Sequence, residues 1–382
     1  MVVCLKVMDR ANVLIIGGGV VGCAIAEALS RSWQDIFLVE QCPKMGMATS
    51  SRNSGVIHSG VYYPTSSLKA RLCVQGNRMT KAFCEKHNVA HRTTGKIIVA
   101  KNVREEPALH ALQKKGEENG VEGLRLLDAA GIHAREPHVR GYVALDVPST
   151  GIVSAEELIH AFARIAESQG ANLVNHARVE SLEAQNDSVV VGLRIGDKGD
   201  SQTEKISARC VINSAGLYAD EVAHLLGPRP WKIYPVRGEY CELRGAKAAL
   251  VNNLVYPMPH SGGLTLGLHF TKTLWGTTLV GPTACYVESK ENYERERVTI
   301  PEFAAEVKNL IPEIEPQDLH LAYTGLRPKL VPPDGHGIAD FVITPDREVP
   351  RVIQLVGIES PGLTAAPAIA EYVFQLVSET LN

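Results

Sequence analysis

Apolar positions along this chain follow two rhythms, and they mark two kinds of structure. Val13-Leu14-Ile15-Ile16 is a continuous apolar run, Gly17-Gly18-Gly19-Val20-Val21-Gly22 a glycine turn, and Ile36-Phe37-Leu38-Val39-Glu40 a second apolar run closing on an acid. Between them Val21, Ile25 and Leu29 recur every four residues, which predicts a helix over Val20 to Ser32 packed on a sheet. The same spacing in Leu68, Leu72, Met79 and Phe83 predicts a helix over Ser67 to His87. A strand over Lys96 to Ala100 and a polar helix over Glu105 to Asn119 follow. Ser154-Ala155-Glu156-Glu157 reads as a capping box, with Ser154 accepting from a first-turn N–H and Glu157 reaching back. The helix it opens turns Leu158, Phe162, Ile165 and Ala166 inward. Segments 172–175, 189–193 and 209–213 read as strands, the last ending in Ser214-Ala215-Gly216. The pattern then becomes β-rich over 235–243, 264–271 and 277–286, with a helix near 302–310. Strand 352–356, loop 357–364 and a helix to about Glu379 close the chain.

Strand–helix segments of the first kind occupy 10–85, 150–228 and 330–382, while mixed or β-rich material fills 86–149 and 229–329. The predicted class is α/β, α+β overall. A Rossmann-like domain, discontinuous in sequence, carries a second mixed-sheet substrate domain in its insertions.

Gly17, Gly19 and Gly22 have G-x-G-x-x-G spacing. The first allows the tight turn, the second lets backbone approach a pyrophosphate, and the third lets helix and strand pack closely. The helix start supplies N–H groups and positive dipole to phosphate. Glu40 can accept from ribose hydroxyls and repels a 2′-phosphate, which disfavours NADP. A nicotinamide enzyme needs nothing special after this second strand. Here Thr49-Ser50-Ser51-Arg52-Asn53-Ser54-Gly55-Val56-Ile57-His58-Ser59-Gly60 follows, a small, polar run twice punctuated by glycine. Small residues, a cation and free N–H groups are what a flavin's pyrophosphate and ribityl chain need, so the Rossmann-like part is expected to be an FAD-binding domain.

Composition removes other classes. The 382 residues are 45% hydrophobic and 21% charged, with a formal net charge of −3 and no long run of one sign, which argues against a nucleic-acid partner. No stretch of about 18 apolar residues suggests a transmembrane segment. Met1 to Arg10 leads directly into the first strand without the pattern of a signal peptide. The eight cysteines form no C-x-x-C, and Cys23, Cys210 and Cys241 lie within apolar patterns, so buried reduced thiols and no metal site are expected. These features together suggest a cytoplasmic location. A quinone acceptor would be compatible with peripheral membrane association, although no basic amphipathic helix announces it.

The run Thr49 to Gly60, extended through Val61-Tyr62-Tyr63-Pro64 and Leu68-Lys69-Ala70-Arg71, resembles the L-2-hydroxyglutarate dehydrogenase/oxidase group. That group belongs to the FAD-dependent oxidoreductases of the D-amino-acid oxidase and glycerol-3-phosphate dehydrogenase superfamily. Further matches are Asn213 to Asp220, Pro235 to Tyr240, Gly267 to Thr271, Thr324-Gly325-Leu326-Arg327-Pro328 and Gly357 to Thr364, in order along residues 12 to 375. The resemblance implies FAD in an extended form. Gly17, Gly19, Val20, Val21 and Gly22 would face pyrophosphate, Glu40 the adenosine ribose, and Val179 the adenine through its backbone, with Gln41 also among the cofactor-binding residues. Thr49, Ser50, Ser51, Arg52 and Asn53 would follow pyrophosphate and ribityl, and Ser54, Gly55 and Val56 would approach the ring. Ala215 and Gly216 would let the chain pass close to the cofactor. Arg327, Ser360, Pro361, Gly362, Leu363 and Thr364 would lie at the flavin ring. Some relatives attach flavin to a late cysteine; none follows Cys285 here, so noncovalent FAD is expected.

The implied reaction is oxidation of a 2-hydroxy acid to the 2-oxo acid by hydride transfer to flavin N5, with L-2-hydroxyglutarate as the leading substrate. It needs a cation for the carboxylate, a base for the hydroxyl proton and an aimed C–H. Arg327 sits where the family places a substrate-binding arginine, and its planar fork suits a carboxylate. His58 and His269 are the candidate bases, with His58 alternatively a hydrogen-bond partner of the isoalloxazine. In 264–269 the leucines alternate, which puts Thr265, Gly267 and His269 on one face. A C5 diacid needs a second cation, for which Arg237, His260 and Lys329 are available; Arg237 and Tyr240 fall on opposite faces of a regular strand. Lys272 to Gly276 departs from the acidic turn expected in hydroxyglutarate enzymes, and Leu279 to Ala284 is similar to glycerol-3-phosphate dehydrogenases. The alternatives are therefore glycerol-3-phosphate or amino-acid/amine oxidation, or a non-catalytic FAD-binding electron-transfer subunit. Oxygen, a quinone or an electron-transfer protein would serve as acceptor.

Overall fold

A computed structural model describes residues 9–196, 201–259 and 266–381. Its first sheet sets five parallel strands in the spatial order Asn172–Val174, Ile36–Val39, Asp9–Ile16, Gln202–Asn213, Val352–Val356. Strand order reverses at Asp9–Ile16, so the crevice beyond Ile16 is where such a sheet takes its ligand. Val13 and Ile15 enter the core on one face, under helices Val20–Ser30, Leu68–His87, Ala155–Ser168 and Gly362–Leu381. Leu14 and Ile16 enter a second core on the other face with Val191 and Val211. Burial on both faces is why the run 13–16 has no polar alternation. The antiparallel strands Ala177–Ala184 and Val189–Ile195 extend this sheet along the first half of Gln202–Asn213.

The predicted helices form with small shifts at their ends. Ser67 caps Leu68–His87 by accepting from Ala70 N–H at 3.1 Å. The capping box at Ser154 is only half formed: its hydroxyl accepts from Glu157 N–H, but the Glu157 carboxylate accepts from Ala90 N–H at 2.9 Å instead. Tertiary pairing thus takes the side chain that local geometry would have returned to the helix start.

The second sheet runs Cys285–Tyr286, Tyr234–Leu243, Thr278–Gly281, His269–Lys272, Leu254–Pro257, Lys96–Ala100, Val143–Val147, Arg125–Leu127, with Leu319–Lys329 also paired to Tyr234–Leu243. The contact of Leu254–Pro257 with Lys96–Ala100 is parallel. Helix Ile300–Val307 closes one face through Phe303, Ala304 and Val307. Two β readings need correction. The strand expected over 264–271 is seen as His269–Lys272, because Gly267 has a left-handed φ of +79° and breaks the alternation; residues 264 and 265 lie outside the described residues. The strand expected over 277–286 is two pieces, parted around Pro282.

The two sheets meet where loop 49–53 lies on strand Leu319–Lys329. Thr49 Oγ1 donates to the Leu326 carbonyl at 3.0 Å, Arg52 Nη1 to the Thr324 carbonyl at 3.3 Å, and Tyr323 OH to the Asn53 carbonyl at 2.6 Å. A side chain at Gly325 would collide with the Arg52 carbonyl oxygen, so close approach requires glycine there. Among the described residues no helix is long and apolar enough to cross a membrane.

Candidate active site

A cavity of about 610 Å³ is lined from both sheets. One end is built on the strand reversal. Helix Val20–Ser30 begins at Gly19 with no side-chain cap, and Gly17, Gly19, Val20 and Val21 line the cavity. The Val20 N–H donates to Ser50 Oγ at 3.0 Å, which holds the loop against the helix start. The Glu40 carboxylate accepts from Gly18 N–H at 2.7 Å and from Cys42 N–H at 2.8 Å. One bond per oxygen orients it and leaves lone pairs for ribose hydroxyls. Gln41, Val179, Ala215 and Gly216 complete this end.

Not every expected contact reaches the cavity. Thr49, Ser50, Arg52, Asn53, Ser54 and Val56 line it. Ser51 instead faces solvent and returns its hydroxyl to the Ala48 carbonyl. Gly22 packs against the Gly17 carbonyl, its structural part in the turn. Gly55 sits beneath, donating to Asn53 Oδ1 and accepting from Val153 N–H. Arg52 places its guanidinium 4.5 Å from the Tyr293 ring centre while still touching the cavity. Ser360, Pro361, Gly362 and Leu363 line the far end, whereas Thr364 is buried behind them, accepting from His58 N–H at 2.9 Å and donating to the Val56 carbonyl.

Both candidate histidines reach the far end with Arg327. His269 Nδ1 lies 2.8 Å from the Gly267 carbonyl. A carbonyl only accepts, so Nδ1 carries the proton and Nε2 keeps the lone pair. Burial pushes this imidazole down to about 3, the Gly267 bond opposes that, and Lys96 and Arg327 reinforce it. His58 Nε2 is 3.2 Å from Ser360 Oγ, a hydroxyl that serves either tautomer, and its Nδ1 has no hydrogen-bond partner. Burial, then Lys96 and His269, lower it to about 3 as well. Both rings are neutral at pH 7 and available as acceptors. Arg327 gives Nη1 and Nη2 to the Thr283 carbonyl, each at 3.2 Å, leaving three of its five N–H groups. Gly238 makes room for it, since a Cβ there would sit 2.6 Å from Nη2.

The described residues narrow the candidate second cations. Arg237 is buried outside the cavity, paired with Glu239 and donating to the Arg295 and Glu296 carbonyls, while Gly238 and Tyr240 face in. His260 lies outside the described residues. Lys329 lines the cavity.

A match to the FAD dependent oxidoreductase family model spans residues 12–376. The chain belongs to the FAD-dependent oxidoreductase family. It is 34% identical to the mitochondrial L-2-hydroxyglutarate dehydrogenase of Arabidopsis thaliana, over 96% of this chain and 83% of the relative. Identity is 32% with L-2-hydroxyglutarate dehydrogenase of Escherichia coli K12, over 96% and 93%. Among solved structures, dithionite-reduced L-α-glycerophosphate oxidase from Mycoplasma pneumoniae with FAD bound superposes with a TM-score of 0.87 at 26% identity, covering 97% of this chain and 95% of that one. The donor set fits FAD. A helix start opens on the cavity beside a carboxylate held by two backbone amides, and Ser360–Leu363 line the same cavity as the histidines.

Sequence reasoning missed the aromatic wall of this oxidoreductase. Tyr256 stacks on His269, and Tyr62 lies 6.5 Å from Tyr256 between ring centres. Behind them the Lys96 ammonium is fully buried, 4.4 and 4.6 Å from those two tyrosine ring centres and without a hydrogen-bond partner. Burial lowers it to about 7, with Cys73 opposing. Its one sequence signal is a lysine opening the apolar run Lys96-Ile97-Ile98-Val99-Ala100. Leu266 also lines the cavity, although alternation had turned it away.

Proposed function

We propose that this chain oxidises L-2-hydroxyglutarate to 2-oxoglutarate with noncovalently held FAD. The observation that carries the reading is the 2.8 Å contact of His269 Nδ1 with the Gly267 carbonyl, which leaves Nε2 to accept a proton in the same cavity as the Arg327 fork. Arg327 binds the 2-carboxylate through its remaining N–H groups and fixes the orientation of C2. His269 Nε2 takes the hydroxyl proton as the C2–H bond breaks. The incoming carboxylate adds negative charge, which raises this imidazole from its low value toward one suited to proton transfer. FAD bound here would supply the acceptor for the C2 hydride, so that substrate would lose two electrons and two protons overall. Gly17, Gly19, Val20, Val21, Glu40, Ser50, Asn53, Val179, Ala215 and Gly216 would hold the dinucleotide, and Ser360 to Leu363 the ring. Segments 10–85, 150–228 and 330–382 serve as the cofactor domain, and 86–149 and 229–329 as the substrate domain. The names of the relatives at 32–34% identity support the substrate.

The test is an anaerobic screen of the FAD-loaded protein against L-2-hydroxyglutarate, glycerol 3-phosphate and amino acids. Bleaching by L-2-hydroxyglutarate with 2-oxoglutarate as product is expected; bleaching by another substrate alone overturns the reading. Arg327→Ala should retain FAD and lose turnover. Readmitting oxygen, a quinone or an electron-transfer protein identifies the acceptor, and fractionation of cells tests the cytoplasmic location.

A further inference from the structure

Lys69, Glu359 and Lys329 form a buried charged cluster on the cavity wall. Lys69 is 1% exposed and Lys329 7%. Lys69 Nζ lies 2.9 Å from Glu359 Oε1, and Lys329 Nζ 3.3 Å from Oε1 and 3.2 Å from Oε2. All three residues line the cavity. Two ammoniums against one carboxylate leave one positive charge unbalanced, and a buried net charge calls for a partner. Burial disfavours the Glu359 anion, but the two lysines outweigh it and hold that carboxyl below its usual range. Lys329 stands two residues after Arg327 on one strand, so both point to the same face with origins about 7 Å apart. An extended C5 diacid holds its carboxyl carbons about 5 Å apart.

We propose that Lys329, backed by Glu359 and Lys69, is the subsite for a second carboxylate, so that the site selects five-carbon dicarboxylates over monocarboxylates. The proposal rests on the L-2-hydroxyglutarate reading and names the residues that recognise its second carboxylate. Lys69 neutralises Glu359 at the shorter distance, and Glu359 in turn fixes the Lys329 ammonium in place. Arg237, the rival cation, is committed to Glu239 outside the cavity.

Binding to the FAD-loaded protein is read from perturbation of flavin absorbance by glutarate and by pentanoate, which differ only in the second carboxylate. Wild type should bind glutarate at least tenfold more tightly. Lys329→Gln should bring the two within threefold by weakening glutarate, and Lys329→Arg should restore the preference. Equal binding by wild type, or equal weakening of both acids in Lys329→Gln, overturns the subsite. The wild-type comparison decides even where Lys329→Gln fails to hold FAD. A glutarate preference without oxidation of L-2-hydroxyglutarate would sink the proposed activity and leave the subsite standing. Oxidation without the preference would do the reverse.

Discussion

The imidazole of His269 stacks on the phenol of Tyr256, with ring centres 3.7 Å apart and planes 21° from parallel. Together with the Gly267 carbonyl at Nδ1, the stack fixes the ring in position and in tautomer. His58 has neither restraint, since its Nε2 meets a hydroxyl and its Nδ1 meets nothing.

The two histidines should therefore respond differently to removal. His269→Asn keeps a donor toward Gly267 but loses the basic nitrogen, so kcat should fall by about 10² to 10⁴ with FAD still bound. His58→Asn should fall by less than tenfold. Rates of anaerobic flavin reduction check both, and a deeper loss in His58→Asn would reverse the assignment.

Lys96 controls a second measurable quantity. Its ammonium sits near pH 7 in the folded chain against an ordinary 10.5, because burial disfavours the charge. Between about pH 7 and 10.5 the unfolded chain binds the extra proton, so stability rises with pH across that window. Below pH 7 the cost of the buried charge is fully present. Lys96→Met removes the cost, so its melting temperature should exceed wild type at pH 6 and the difference should shrink by pH 9. A difference independent of pH would refute the assignment.

Contiguous motifs make the glycine-turn end of the cavity legible in the sequence. Gly17 to Gly22, Glu40 and Ser50 act within a stretch of fewer than about 40 residues, where spacing maps onto local geometry. The ring end was less legible because Tyr62, Lys96, Tyr256 and His269 come from four separated segments. Strand alternation correctly put Arg237 opposite Tyr240, but it could not show the Glu239 partner that removes Arg237 from the site. Alternation failed at Leu266, where the left-handed Gly267 resets the face. Glu157 was misread because its partner, Ala90, is remote in sequence.

At the dinucleotide end, Glu40 receives two backbone amides. Glu40→Ala removes both bonds and, on the proposed placement of FAD, the acceptor for a ribose hydroxyl. A single hydrogen bond from a ribose hydroxyl to a charged carboxylate contributes about 1.5–3 kcal/mol. FAD should therefore bind between about tenfold and a hundredfold more weakly, with kcat at saturating FAD little changed. Fluorescence titration of the apoprotein measures this, and an unchanged Kd would remove Glu40 from the cofactor site.

Gly325 tests the seam between the sheets. Loop 49–53 hydrogen-bonds to the strand on both sides of it, through Thr49 to Leu326 and Arg52 to Thr324. The loop also holds Ser50 against the start of helix Val20–Ser30. In Gly325→Ala the new methyl meets the Arg52 carbonyl and must lift the loop from the strand. Overpacking of this kind costs about 1–3 kcal/mol. Because the same loop lines the cavity, the loss should fall on FAD affinity more than on the folding of the second sheet. The expected result is a protein purified with reduced flavin content whose apo melting temperature stays within a few degrees of wild type. Full flavin retention would mean that the loop and strand can part without disturbing the cofactor, and that the seam does not position it.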